Sequence, residues 1–377
     1  MKLSYTLLAL AAQVTAKAIP KSSSPQSLDE ITIFTPPSDY NIPRTLYARS
    51  AQLPNGDLLA TWENYSPEPP LVYFPIYRST DYGKTWNAYS NVTDQVNGWG
   101  LRYQPFLYYL PEKIGDYPEG TLLLAGNSIP EDLSSTQIDL YASFDQGLKW
   151  EFVSHIAAGG EAEPDNGLTP VWEPFLMAYN GKLICYYSDQ RDNATYGQKL
   201  VHQVSSSLKT WGPVVDDVTY STYTDRPGMT TVAKLPNGKY IITYEHGSFF
   251  DTADYSFPVT YRIASNPEEF NSAEPIQLIA TDGTEPASAP YVVWTSYGGK
   301  DGTIIVSAES SSAVYINQAL GEGEWTTIDT PESASYSRSL RILSEGDGNW
   351  LVINGGGALG GDDNTVTISV VDLDGTL

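Results

Sequence analysis

The chain has 377 residues and a formal net charge of −24. That is length for one large or two ordinary domains, and the wrong sign for nucleic acid or an anionic membrane, both of which select a basic footprint. An acidic surface suits a neutral ligand such as a polysaccharide, and equally the plain solubility of an exported protein.

Tyr (27), Trp (9), Gly (31) and Pro (26) are frequent. Short β-branched and aromatic runs bounded by Gly, Pro, Asn and Asp take the place of a sustained 3.6-residue apolar period, so the chain reads as all-β. At the start, "MKLSYTLLALAAQVTA" (1–16) has a Lys, an apolar core and then small residues. This is the pattern of a secretory signal peptide, too short to remain as a membrane span. A polar, Pro/Ser-rich lead-in (17–30) follows, and 31–377 is expected to be a single domain. Sequons at Asn64, Asn91 and Asn193 fit a secreted, extracellular glycoprotein.

Next comes an early strand, "ITIFT" (31–35). Its expected partner is the last strand of the chain, "NTVTISVVDL" (364–373), which would close a ring. Between them an Asn-Gly turn followed by a strand recurs as "LPNGDLLATWE" (53–63), "NGKLICYYS" (180–188) and "LPNGKYIITYE" (235–245). Asn-Gly tolerates φ > 0 at both central positions and suits a tight hairpin. Looser copies are "PEGTLLLAGN" (118–127), "GKDGTIIVSAE" (299–309) and "GDGNWLVING" (346–355). Six units follow, near 44–90, 102–156, 171–215, 226–277, 286–331 and 336–376. A period of this length with four short strands per unit predicts a six-bladed β-propeller.

A second motif, S-x-D-x-G-x-x-W, occurs at "YRSTDYGKTW" (77–86) and "YASFDQGLKW" (141–150), with eroded forms "SSSLKTW" (205–211) and "ALGEGEW" (319–325). It resembles the Asp box of sialidase-type propellers, in which the Asp caps the turn between the two outer strands and the Trp packs between blades. That role is structural. It also marks a face. Asn-Gly turns and Asp boxes share one side of the disc, so ligand-binding loops belong to the other.

Residues that reach a ligand then lie where the first strand of a blade begins or the second ends. The second-strand ends are Glu63, Asn127, Ser188, Glu245 and Glu309, with Asp189 and His246 adjoining. The first-strand starts "RYQPFLYY" and "VWEPFLMAY" align Gln104 with Glu173, an amide against a carboxylate. Glu173 and Glu245 come from neighbouring blades, and two carboxylates flanking a bond are what glycoside hydrolysis needs. Tyr103, Trp172, Tyr244 and Tyr336 offer rings to sugar faces or to the core. Arg44, Arg49, Arg226 and Arg338 are the cations near these ends. Cys185, in "LICYY", reads as a buried core thiol and leaves no intrachain disulfide, and His155, His202 and His246 are scattered, so no metal or cofactor is expected.

Together "YARSAQLPNGDLLATWENY", "GLTPVWEPFLMAYNGKLICYYSDQRD" and "RPGMTTVAKLPNGKYIITYEHG" resemble the fungal exo-arabinanases of glycoside hydrolase family 93. The resemblance runs from about residue 31 to the end. It implies a propeller that cleaves α-1,5-linked L-arabinan of plant cell walls from the non-reducing end, releasing arabinobiose with retained configuration and without a cofactor. It places the two catalytic glutamates at Glu173 and Glu245, without saying which attacks. Substrate contacts are expected from Arg49, Tyr103, Gln104, Trp172, Asp189, Arg226, His246 and Tyr336, in a monomer. Two other readings stand beside it. One is a sialidase-like exo-glycosidase using Tyr336 with Arg44, Arg226 and Arg338. The other is a non-catalytic carbohydrate-binding propeller.

Overall fold

The computed structural model describes residues 24–249 and 254–376. The expected signal peptide lies outside the described residues. The first strand, β1 (Leu28–Phe34), begins inside the expected lead-in, three residues before the predicted boundary.

Twenty-four strands form six four-stranded antiparallel sheets. Blade one holds β2 (Thr45–Gln52), β3 (Leu58–Asn64), β4 (Phe74–Ser79) and β5 (Asn87–Val92). Blade two holds β6 (Leu101–Tyr109), β7 (Leu122–Ser128), β8 (Thr136–Ser143) and β9 (Glu151–Gly159). Blade three holds β10 (Val171–Tyr179), β11 (Lys182–Asp189), β12 (Lys199–Ser205) and β13 (Val215–Val218). Blade four holds β14 (Arg226–Lys234), β15 (Tyr240–Gly247), β16 (Val259–Ala264) and β17 (Ile276–Gln277). Blade five holds β18 (Tyr291–Thr295), β19 (Thr303–Ser307), β20 (Val314–Asn317) and β21 (Thr326–Ile328). Blade six holds β22 (Ser339–Ile342), β23 (Trp350–Gly355), β24 (Val366–Asp372) and, as its outer strand, β1. The pairing of β1 with β24, Ile31 opposite Ile368 and Phe34 opposite Val366, closes the ring as expected.

The S-x-D-x-G-x-x-W segments are corner pieces. In the first, Asp81 accepts from the Thr85 N–H (3.0 Å), the Thr85 hydroxyl (2.7 Å) and the Ser79 hydroxyl (2.8 Å). The Trp86 indole N–H donates back to the Gly83 carbonyl (2.9 Å). Tyr82 and Gly83 are both left-handed, as are Gln146 and Gly147 in the second copy. There the Trp150 indole donates to the Gly147 carbonyl (3.1 Å), which also accepts from Ser90 of the preceding blade (2.5 Å). The eroded copies keep this bridge with other side chains. Trp211 donates to Ser154 (3.0 Å), and Ser154 donates to the Leu208 carbonyl (2.6 Å). In blade five, Trp325 meets the Tyr261 hydroxyl, which donates to the Gly321 carbonyl (2.8 Å), and Asn317 takes the place of Ser79 and Ser143 as acceptor for the Gly321 N–H (2.7 Å). In blades two, three and five these corners bond the blade to the one before it.

Cys185 is fully buried, and burial pushes its thiol up, so it is inert core. Of the sequons, Asn91 is exposed and Asn193 half-buried, but Asn64 is buried, with its amide donating to Ser66 (3.3 Å). The Asn64 sequon is therefore closed in the folded chain.

Candidate active site

Every inner strand enters the disc through one left-handed residue: Tyr47, Gln104, Glu173, Met229, Ala289 and Ser337 in blades one to six, with φ between 44° and 62°. None is Gly, and a left-handed non-glycine residue in all six blades is a conformation that the surroundings must hold in place. In blades one to four it sits in a bulge where pairing with the second strand skips, as between Trp172 and Phe175. A bulge bends the strand and re-aims a side chain. Here it also frees the N–H of the left-handed residue for the neighbouring blade.

Four of those N–H groups are received by the acidic and amide residues of the preceding blade. Gln104 N–H donates to Glu63 Oε1 (2.9 Å), Glu173 N–H to Gln104 Oε1 (3.1 Å), Met229 N–H to Glu173 Oε2 (2.6 Å), and Ala289 N–H to Glu245 Oε2 (2.8 Å). Ser188 adds a hydroxyl to Glu173 Oε2 (2.6 Å), and Ser288 one to Glu245 Oε2 (3.0 Å). Glu173 and Glu245 are each pinned through one oxygen, Oε2, and keep Oε1 for other contacts, whereas Glu63 uses Oε1 for the Gln104 N–H and Oε2 for the Tyr65 hydroxyl.

These residues wall a cleft of about 470 Å³ on the face opposite the corner turns. Its lining brings together Glu173, Glu245, Tyr103, Gln104, Trp172, Arg226 and Tyr336 from the sequence reading. Arg49, Asp189 and His246 do not line it. Arg49 is buried beneath the cleft, over the Tyr47 ring (3.8 Å to its centroid), and donates to the Ser337 carbonyl (2.7 Å) and hydroxyl (2.6 Å). Asp189 is spent on Arg191 (2.7 Å). His246 stacks on Tyr220 (3.8 Å between centroids) and meets Asp225 (3.2 Å), on the other side of β15. Glu63, a second-strand end outside the expected catalytic and substrate-contact set, lines the cleft with Tyr65, whose hydroxyl donates to it (2.7 Å). Gln198, Ser288, Phe257 and the apolar rim of Leu133, Ala162 and Pro164 also went unseen. They lie in loops without a repeated spacing.

Burial raises all three carboxyls, since it disfavours the charged form. For Glu245 the charge of Glu173 adds to burial, and together they bring it to about 7 against the opposing Ala289 N–H and Ser288 hydroxyl. Glu173 is also raised by burial, but Ser188, the Met229 N–H, Arg226 and Arg49 all pull the other way. Glu63 is pushed by burial to about 7, opposed by Tyr65, the Gln104 N–H and Arg49. Arg226 forms no ion pair with either glutamate. Its guanidinium is held by the amide oxygens of Asn166 (2.5 Å), Gln190 (3.0 Å) and Gln198 (2.9 Å), and acts on both carboxyls through its field. Gly228 separates Gln198 from Glu245. A Cβ there would come within 3.0 Å of Gln198 Nε2 and 3.2 Å of Glu245 Oε1.

Among the described residues no group of His, Cys, Asp and Glu is arranged to hold a metal ion. A β-propeller with two carboxyls, Glu173 buried and Glu245 half-buried, converging on an open cleft is the frame of a glycoside hydrolase, and comparison with solved structures narrows the class. The chain is similar to the α-L-arabinanase of Penicillium chrysogenum, whose structure holds arabinobiose, at 66% identity and a TM-score of 0.93 over 94% of this chain and 100% of that one. It is also similar to the GH93 α-L-arabinofuranosidase of Fusarium graminearum, solved with arabinobiose, at 54% identity and a TM-score of 0.91 over 93% and 99%. The chain belongs to glycoside hydrolase family 93. The NanB sialidase of Streptococcus pneumoniae shares the fold at 10% identity and a TM-score of 0.60, over 94% of this chain and 72% of that one. No family model and no curated protein sequence matches the chain.

Proposed function

We propose that the protein is a secreted exo-acting arabinanase that releases arabinobiose from the non-reducing end of α-1,5-linked L-arabinan, with retention of configuration. The observation that carries this reading is the unequal pair. Glu173 and Glu245 share one cleft and each accepts an N–H and a hydroxyl, but Arg226 and Arg49 favour the charged form of Glu173, whereas the charge of Glu173 opposes ionisation of Glu245. Glu173 is therefore the nucleophile and Glu245 the acid/base. Glu245 protonates the glycosidic oxygen as the bond to the anomeric carbon breaks, and Glu173 Oε1 attacks that carbon. Glu245, now ionised, then takes a proton from the water that releases the sugar. The carboxyl groups of a retaining pair lie roughly 5–5.5 Å apart, against roughly 6.5–9.5 Å for an inverting one.

The rim supports exo action. Leu359, from the Gly-rich segment 355–363, and Phe257 both line the cleft and would block a longer chain. The sialidase reading loses its arginine trio. Arg338 is fully buried and spends itself on carbonyls of Ala308, Ser311, Ser312 and Ala313, while Arg44 donates to the Pro37 carbonyl. The deciding assay is early product analysis on debranched arabinan beside a sialoside. Arabinobiose alone from arabinan is the expected result. A ladder of oligomers would overturn the exo reading, and sialoside cleavage the substrate class. Azide added to Glu173→Ala should restore turnover as a glycosyl azide of inverted configuration; rescue of Glu245→Ala alone, through an azide of retained configuration, identifies Glu245 as the acid/base.

A further inference from the structure

A second cavity, of about 280 Å³, lies further along the inner strands, in the central channel toward the face that carries the turns. Phe106, Tyr108, Phe175, Val232, Tyr291 and Arg341, from five blades, contribute to its wall. It shares no lining residue with the catalytic cleft.

Arg341 is the outlier among the buried and half-buried arginines. A guanidinium carries five N–H donors. Arg338 spends its terminal nitrogens on five carbonyls and Arg226 on three amides. Among the described residues, Arg341 donates only to the Ser50 carbonyl, and its Nε is buried with no partner. The groups that act on its charge are the Tyr291 and Tyr108 phenols, not carboxylates, and burial holds it below the usual arginine range. A charge partly withdrawn from water without a counter-charge is costly, and this half-buried one faces a cavity.

We propose that the channel binds one small monovalent inorganic anion, of the chloride or bromide kind, on Arg341. One guanidinium balances one negative charge. The remaining wall is largely aromatic and aliphatic and has too few donors for sulfate or phosphate, which need many. The Tyr108 hydroxyl accepts the Ala178 N–H (2.8 Å), which leaves its own proton for the anion. Lys234, exposed at the end of β14, lines the mouth of the same cavity and draws anions in against the acidic surface. Because Arg341 belongs to blade six, bonds blade one and faces a channel shared with blades two to five, the bound anion ties the two ends of the ring together.

The test is thermal unfolding of the full-length protein at constant ionic strength, with sodium chloride replacing sodium gluconate, whose anion is too large to enter. The wild type should gain roughly 2 °C or more, saturably, as a ligand of the native state does. Arg341→Met should show no gain, and Arg341→Lys, which keeps the charge, a reduced one. Crystals of the wild type in bromide should give an anomalous peak beside Arg341, a readout independent of how well the variants fold. An equal chloride response in wild type and Arg341→Met, or no response in the wild type, would overturn the site. A channel that holds only water in bromide would do the same.

Discussion

Glu173 and Glu245 each close a blade junction with one oxygen and serve the cleft with the rest of the carboxyl. That double duty makes the conservative substitution informative. Glu173→Gln and Glu245→Gln keep an acceptor oxygen for the Met229 and Ala289 N–H groups, so melting temperature should hardly move. Turnover should fall at least about a hundredfold in each, the usual size of a lost acid/base or nucleophilic group; near-normal kcat in either would remove it from the pair. Arg226 acts through space. Arg226→Gln should therefore shift the acid limb of the kcat/KM profile to higher pH, because Glu173 loses a cation that favours its charged form. An unmoved acid limb with a raised KM would make Arg226 a substrate contact only. The alkaline limb should fall near pH 7, where Glu245 gives up its proton. Gly228→Ala pushes a methyl toward Glu245 Oε1. Displacements of this order cost about tenfold or more in rate, and wild-type kinetics in that variant would show that the carboxyl has room to spare.

The corner turns separate stability from chemistry at the scale of the element. Asp81→Ala removes three hydrogen bonds from the blade-one corner. Each contributes about 1 kcal/mol, and none touches the cleft. The expected result is a lower melting temperature with kcat on arabinan unchanged; the reverse pattern would make the motif catalytic. These corners, the Asn-Gly turns and the closing strand were legible because they are written as local spacings with fixed chemistry. The eroded corners were only half legible. Asn317 takes the Ser position of the blade-five turn, and the hydroxyls of Ser154 and Tyr261 reach the eroded turns from the preceding blade. The inner-strand bulges were not legible at all, because Tyr, Gln, Glu, Met, Ala and Ser occupy one left-handed position and share no side-chain signature. Burial likewise decides among the sequons. Made in a glycosylating secretory host, the protein should carry glycan at Asn91 and none at Asn64, as read by peptide mass spectrometry after deglycosylation in heavy water.

At the scale of the whole molecule, the expected site residues that the fold brings into one cleft include those set by the repeat, and those it places elsewhere depend on how strands converge. Glu173 and Glu245 follow from where first strands begin and second strands end. His246 and Asp189 sit at the same ends, but the strand turns them to its other face, toward Asp225 and Arg191. Convergence has a thermodynamic signature too. The disc buries carboxyls that burial raises: Glu63, Glu245 and Glu332 to about 7, Asp139 and Asp217 to about 6. In the unfolded chain such groups lose their protons near pH 4. Between about pH 4 and 7 the native state then holds more protons than the unfolded one, so stability falls as pH rises through that window. Asp81, Asp94 and Asp145 work in the other direction. Hydrogen bonds hold them below their usual range, and their contribution is lost as pH falls below about 4. The two trends place maximum stability near pH 4–5, and the net charge of −24 at pH 7 sharpens the alkaline decline through self-repulsion. One group shifted by one pH unit is worth about 1.4 kcal/mol. The melting temperature should therefore drop by several degrees between pH 5 and pH 8, and Glu332→Gln should flatten that slope without altering turnover. A melting temperature that rises from pH 5 to pH 8 would show that these carboxyls are already ionised in the folded protein.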